Sequence, residues 1–116
     1  IEASDSYFNA IQEGMTKMVA EQANSTTSIF NGWKYEDQIA GKTGTGTVSN
    51  IDLENNAWFV SYAPRENPEI AVVIYIPNGI GGSHAEPAAK EIIEYYLDGK
   101  TEETGTALPS ENTLVP

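Results

Sequence analysis

The residues best suited to chemistry lie in one short stretch, IAGKTGTGT, from Ile39 to Thr47. Lys42 supplies a positive charge in an acidic chain, Thr43 and Thr45 supply hydroxyl groups, and glycines separate them. Small residues in a strand let another backbone or a ligand approach closely. The stretch therefore combines a cation, hydroxyls and backbone N–H donors at a place that a substrate could reach.

The same stretch fits two other interpretations. Gly41-Lys42-Thr43 ends like a phosphate-binding loop, but that motif needs a glycine five residues before Gly41, where Glu36 stands. A phosphate loop is therefore excluded. A plain threonine-rich edge strand with one solvated lysine remains an alternative on these residues alone.

Residue types that often perform chemistry elsewhere in proteins are isolated or absent here. His84 is the chain's single histidine, which favours a solvated imidazole over a metal site. The run from Gly79 to Gly82 lacks the spacing of a dinucleotide-binding loop and indicates a flexible turn. The chain has no cysteine, so thiol nucleophiles and cysteine-based zinc sites are excluded. We expect neither a metal nor a cofactor.

Acidic and aromatic residues receive structural interpretations. Glu36-Asp37 and Glu102-Glu103 could mimic catalytic carboxylates, but such charge runs are typical of solvated surface. Three aromatic residues at strand spacing are more typical of a core than of a ligand platform: Trp58, Phe59 and Tyr62.

Length and charge narrow the class of protein. The 116 residues allow one domain. A formal charge of -11 repels phosphate, so nucleic-acid binding is excluded. The longest apolar run, Ile70 to Ile76, is far shorter than the ~20 residues of a membrane-spanning helix. Because the chain begins at Ile1 and shows no signal-peptide pattern, we expect a mature product or a piece of a longer protein.

Hydrophobic periodicity predicts an α+β fold in the order helix, three strands, helix. The first helix runs from Ser4 to about Gln22, with a cap among residues 4–6 and an apolar face at spacings of three and four: Phe8, Ile11, Met15, Met18, Val19 and Ala23. The last helix begins near Pro87 and ends at Gly99 as its C-terminal cap. Residues 100–116 are predicted to form a disordered tail after a segment covering residues 1–99.

Three strands are predicted at Gln38–Ser49, Ala57–Ala63 and Ile70–Ile76. The links between them are short and polar, which favours an antiparallel meander. The third strand is apolar at every position, so both of its faces should be covered. Since two helices cover only one face, we expect something outside this chain to cover the other.

Lys42-Thr43-Gly44 also matches the Lys-Thr-Gly element of serine acyltransferases that handle penicillin. It lies within AGKTGT at 40–45 and is followed by AWFVSYAP at 57–64 and NPEIAVVI at 67–74. This succession closely resembles the C-terminal part of the transpeptidase domain of class B penicillin-binding proteins, over about residues 4 to 99. The resemblance implies the C-terminal segment of a penicillin-binding-protein/serine β-lactamase-like fold.

The chain departs from the family pattern in two places that matter for catalysis. No serine has a lysine three positions later, so the acylated serine of the S-x-x-K motif is absent. Ser110-Glu111-Asn112 fits the S-x-N pattern but follows the Lys-Thr-Gly element instead of preceding it, and we interpret it as coincidence. Ser61 stands where the family usually has glycine, which we expect to be tolerated. We therefore expect the nucleophile to lie outside this chain.

The resemblance implies a peptidoglycan D,D-transpeptidase that is acylated by β-lactams, acting at the extracytoplasmic face of the bacterial membrane through an anchor outside this chain. The backbone N–H of Thr45 would stabilise the oxyanion, and the Thr43 and Thr45 hydroxyls, with Gly44 between them, would hold the substrate carboxylate. Lys42 would supply positive charge and orient the S-x-N hydroxyl. Strand alternation places Lys42 on the face opposite the threonines.

The implied partners are the rest of the transpeptidase domain, which carries S-x-x-K and S-x-N, and a peptidoglycan stem peptide or a β-lactam. A non-catalytic peptide-binding or β-lactam-sensing domain is an alternative from another class. A D,D-carboxypeptidase or β-lactamase relative is a third possibility. Pro64 and the Asn67-Pro68-Glu69 stretch favour the class B enzyme.

Overall fold

Helix, three strands and helix follow each other in the predicted order. The computed structural model describes residues 1–105, with side chains to Thr101. The elements are α1 (Asp5–Ala23), β1 (Ala40–Gly46), β2 (Asn56–Ala63), β3 (Ile70–Ile76), a short 3-10 turn (Gly82–Ala85) and α2 (Glu86–Gly105). The α+β class and the antiparallel meander are confirmed.

The strands form one sheet in the order β1-β2-β3. Thr43 pairs with Phe59, and Phe59 pairs with Ile74. This row belongs to the core face, which packs against α2. The next row, Lys42, Val60 and Val73, belongs to the opposite side of the sheet, which we call the open face.

The core lies between the core face and α2. Its fully buried members include Phe30, Phe59 and Ile93, which shows that the sheet, α2 and the segment before β1 share one cluster. Ser61 is also buried, and its hydroxyl donates to the Val72 carbonyl at 3.1 Å. The buried polar group is thereby satisfied, as expected for a tolerated substitution at this position.

Only the C-terminal half of α1 packs as predicted. Val19 is fully buried, whereas Phe8 and Ile11 on the same predicted face are 40% and 60% exposed. Ser4 occupies the N-cap position without a side-chain cap hydrogen bond. The first turns of α1 thus carry an apolar stripe that the described part of the chain leaves partly exposed.

The segment between α1 and β1 is fixed to α2 by polar side chains. The Trp33 indole N–H donates to Glu94 at 2.6 Å, and the Tyr35 hydroxyl donates to Asp98 at 2.6 Å. Because this segment leads directly into Ile39, which is fully buried, the start of β1 is fixed relative to the core.

Two predicted boundaries are wrong. β1 spans Ala40–Gly46 and not Gln38–Ser49. Gly99 does not end the last helix, because α2 continues to Gly105; glycine within a helix costs only about 1 kcal/mol relative to alanine. The remainder of the predicted tail, including Ser110 and Asn112, lies outside the described residues. Within the described part of the chain, no helix is long and apolar enough to cross a membrane.

Candidate active site

β1 divides its functional side chains between the two faces of the sheet, as the alternation predicted. Lys42 is exposed on the open face, level with Val60 of β2. Thr43 and Thr45 lie on the core face, in the rows of Phe59 and Ala57. β1 pairs only with β2 among the described strands, so every second residue directs its backbone N–H and C=O toward the unpaired side.

The ammonium group of Lys42 bends back to the strand. Its Nζ donates to the backbone carbonyl of Thr43 at 3.0 Å, and Lys42 makes no ion pair with any side chain of residues 1–101. The positive charge therefore lies close to the β1 backbone, where it could contact a group bound along the strand. An open groove of about 540 Å³ lies beside Lys42, and α1 lines it with three apolar and two charged side chains: Ile11, Met15, Met18, Lys17 and Glu21.

The core-face side of β1 is contacted by the turn that precedes α2. The backbone N–H of Gly82 donates to the Thr45 hydroxyl oxygen at 3.2 Å. A Cβ on Gly82 would lie 2.7 Å from Thr43 Cβ and 2.8 Å from Gly44 N and O. The turn thus rests directly on the Lys-Thr-Gly-Thr strand, at a distance that only glycine allows.

Gly41 and Gly44 of β1 differ in how closely other groups pack against their Cα atoms. A Cβ on Gly41 would lie 2.5 Å from Phe59 Cζ, so Gly41 is needed for the aromatic ring to pack beneath the strand. A Cβ on Gly44 would meet only Trp58 Cβ, at an ordinary 3.5 Å. Gly44 is therefore not required by packing within this chain, and it leaves the open face beside Lys42 unobstructed.

Arg65 holds the residues that lead into β1. Its guanidinium donates through Nε to the Ile39 carbonyl at 2.7 Å and through Nη2 to the Glu36 carbonyl at 2.9 Å. Burial lowers the pKa of Arg65, although the nearby Asp37 carboxylate opposes this. The β2–β3 loop is thereby joined to the backbone just before the candidate site.

Among the residues given structural interpretations, Trp58 departs from its prediction. His84 is exposed in the 3-10 turn, and Glu36 accepts the Gly32 N–H at 2.9 Å. Phe59 is buried as predicted, but Trp58 is 41% exposed. Its ring lies 4.3 Å from that of Tyr75 on the open face, so Trp58 is not part of the core of this chain.

Sequence reasoning missed two contributors to the site. The run from Gly79 to Gly82 is predicted to be a flexible turn, whereas in the structure Gly82 packs closely against Thr43 and Gly44. Arg65 was not singled out at all. Neither contact is local in sequence. The only sequence signal for a close approach to β1 is the glycine pair shortly before α2. Among the side chains that the structure describes, up to Thr101, no cluster of three or more potential metal ligands is present.

Comparison with known proteins covers most of this chain but little of each relative. The chain is 30% identical to the peptidoglycan D,D-transpeptidase MrdA of Haemophilus influenzae over 78% of its own length and 16% of the relative's. It is 31% identical to penicillin-binding protein 2B of Streptococcus pneumoniae, over 83% of this chain and 15% of that protein. The chain thus spans about one sixth of the length of these curated relatives.

Solved structures give the same result. Penicillin-binding protein A of Mycobacterium tuberculosis, as an imipenem acyl-enzyme, matches with a TM-score of 0.61 at 24% identity over 82% of this chain and 20% of that one. Its penicillin G acyl-enzyme matches with a TM-score of 0.58 at 28% identity, over 77% of this chain and 20% of that one. These likenesses confirm the fold.

A sequence profile of the family described as "penicillin binding protein transpeptidase domain" matches residues 2–94. That match covers most of the chain and includes β1, β2, β3 and the beginning of α2. The chain therefore belongs to the penicillin-binding protein transpeptidase domain family.

Proposed function

We propose that this chain is the C-terminal part of the transpeptidase domain of a peptidoglycan D,D-transpeptidase, and that it supplies the oxyanion and carboxylate-binding strand of the active site. The observation that carries the proposal is the placement of Lys42, Thr43 and Thr45 on a strand whose outer edge pairs with no other described strand. Relatives named as peptidoglycan D,D-transpeptidases support it.

The proposed reaction is serine acyl transfer. The hydroxyl oxygen of a serine outside this chain bonds to a carbonyl carbon of the stem peptide, and its proton passes to a neighbouring base. The terminal amide C–N bond then breaks, and the leaving amine takes up a proton. The amine of a second stem peptide displaces the serine oxygen and completes the cross-link. With a β-lactam, the ring amide takes the place of the terminal peptide bond.

Each site residue has a distinct role in this reaction. The backbone N–H of Thr45 donates to the developing oxyanion, a contact whose loss typically costs about 2.7–4 kcal/mol. The hydroxyls of Thr43 and Thr45 hold the substrate carboxylate on either side of Gly44. Lys42 supplies positive charge and orients the hydroxyl of the S-x-N element. Its ammonium, 3.0 Å from the Thr43 carbonyl, is already at the level of the strand.

The open face is where the rest of the domain would dock. Its central residues are substantially exposed within this chain: Trp58 41%, Val60 41%, Val73 57% and Tyr75 45%. Proteins seldom leave contiguous large apolar patches uncovered. Because Lys42 lies on this face, the segment carrying S-x-x-K must approach from the same side to use its charge. Most of the length of the curated relatives lies outside the region matched here, which supplies enough chain for that segment.

The cellular site follows from the proposed substrate. Peptidoglycan is built outside the cytoplasmic membrane, so we place the active protein at the extracytoplasmic face. A segment outside this chain would anchor it there.

Labelling of the whole protein tests the proposal. The protein is incubated with a fluorescent penicillin, digested and mapped by mass spectrometry. We expect one covalent adduct per molecule, on a serine of an S-x-x-K motif outside these 116 residues. An adduct on a serine of this chain, or no adduct at all, would contradict the proposal.

A further inference from the structure

The Thr45 hydroxyl has a partner that constrains its hydrogen. A hydroxyl oxygen carries two acceptor lone pairs and one hydrogen. The Gly82 N–H donates to this oxygen at 3.2 Å, and a backbone N–H cannot accept a hydrogen bond in return. The Thr45 hydroxyl hydrogen is therefore directed away from Gly82 and stays available to another acceptor.

The turn that provides this N–H is fixed by contacts of its own. Ile80 N–H donates to the Asn55 carbonyl at 2.9 Å, and His84 N–H donates to the Gly81 carbonyl at 3.0 Å. Gly79 fits so closely that a Cβ there would lie 2.8 Å from Ala57 Cβ. Since these contacts hold the turn without Thr45, the bond from Gly82 orients the threonine more than it stabilises the turn.

We propose that Gly82 is a positioning residue for substrate recognition: its N–H orients the Thr45 hydroxyl so that the O–H donates to the carboxylate of the stem peptide or β-lactam. The inference rests on the proposed function, because it assigns that hydroxyl to the carboxylate. Holding a donor in its bound orientation before the substrate arrives reduces the entropy lost on binding. Glycine is required because a side chain would separate the turn from β1.

Acylation of the whole protein is measured with a penicillin and with its methyl ester, which lacks the negative charge. In Gly82→Ala, the added Cβ forces the turn away from β1 and breaks the bond to Thr45. We expect acylation by the penicillin to slow at least tenfold, through weaker binding more than a slower limiting rate. Acylation by the ester should change less than threefold. Gly81→Ala is the matched control, since its Cβ would lie 3.8 Å from Thr45 Oγ1, an ordinary contact.

Equal losses with both compounds would overturn the inference, because they would indicate general distortion of β1. An unchanged rate in Gly82→Ala would also overturn it, while normal acylation of the wild type would leave the proposed function intact. Failure of the wild type to be acylated would contradict the proposed function itself. If Gly82→Ala does not fold, hydrogen exchange replaces it: Gly82 N–H should exchange at least tenfold faster in Thr45→Val than in Thr45→Ser. Equal exchange in those two variants would refute the bond.

Discussion

Replacing Lys42 by alanine should slow acylation of the whole protein by a β-lactam about a thousandfold. The size depends on whether the open face is covered. At about 4 Å, an ion pair is worth about 1 kcal/mol in bulk water but about 4 kcal/mol at an effective dielectric constant of ~20. Since about 1.36 kcal/mol corresponds to a tenfold change in rate, these limits predict losses of about fivefold and about a thousandfold.

The structure supports the larger loss. Lys42 has no ion-pair partner among the side chains of residues 1–101, and its ammonium reaches the β1 backbone beside a groove whose lining includes the charged Lys17 and Glu21 as well as apolar residues. A segment docked on the open face would exclude water from this position. Stopped-flow measurement of the acylation rate in wild type and Lys42→Ala separates the two limits. Lys42→Arg retains the charge and should recover part of the rate.

Lys34→Ala is the matched control for Lys42→Ala. Lys34 lies on the α2 side, where its Nζ is 2.7 Å from Asp98 in a solvent-exposed ion pair, and its loss should leave the acylation rate near wild type. Circular dichroism should show that every variant is folded. If folded Lys42→Ala is acylated at the wild-type rate, Lys42 has no role in the reaction and the assignment of the site is wrong.

Other substitutions test separate parts of the structure. Thr43→Val and Thr45→Ala should each weaken recognition of carboxylate-bearing β-lactams, but acylation should slow by a smaller factor than in Lys42→Ala because the Thr45 backbone donor remains. A larger loss in either threonine variant would contradict the roles assigned to these residues. Gly41→Ala should lower the free energy of unfolding by about 1–3 kcal/mol, since its Cβ would meet Phe59. Gly99→Ala, with nothing within 4 Å of its Cβ, should raise it by about 1 kcal/mol in urea unfolding; a loss would indicate that the helix ends there.

A pH-dependent prediction concerns Glu86 at the start of α2, which is only 4% exposed. Burial raises the pKa of Glu86, and the hydrogen bond from Gln22 at 3.0 Å only partly opposes this. A raised pKa in the folded state means that the contribution of Glu86 to stability is present below its unfolded pKa and is lost as pH rises through the folded pKa. Glu86→Gln should therefore be more stable than wild type at pH 7, and the two should converge toward about pH 4. A constant difference across that range would refute the shift.

The order of the elements could be predicted from sequence because their signals are local. The alternation in β2 and the apolar run of β3 each identify a strand, and side-chain alternation along β1 then places Lys42 and Thr43 on opposite faces of the sheet. The end of α2 was wrongly predicted from Gly99, since glycine often caps a helix but is also tolerated within one.

What could not be predicted depends on contacts between distant parts of the chain or with parts outside it. The Gly82 bond to Thr45 joins residues 37 positions apart, and Arg65 reaches back to Ile39 across β2. The apolar residues Phe8 and Ile11 follow the helical pattern yet remain exposed. Periodicity identifies an apolar face but cannot say whether its partner belongs to the same segment.

A crystal structure of the whole protein acylated by a penicillin would show whether β1 holds the substrate. If β1 is the oxyanion and carboxylate strand, the acyl carbonyl oxygen should lie about 2.7–3.1 Å from the backbone nitrogen of Thr45. The penicillin carboxylate should contact the Thr43 and Thr45 hydroxyls, and Lys42 should lie beside the S-x-N serine. An acyl-enzyme whose ligand makes no contact with residues 42–45 would contradict this role of β1.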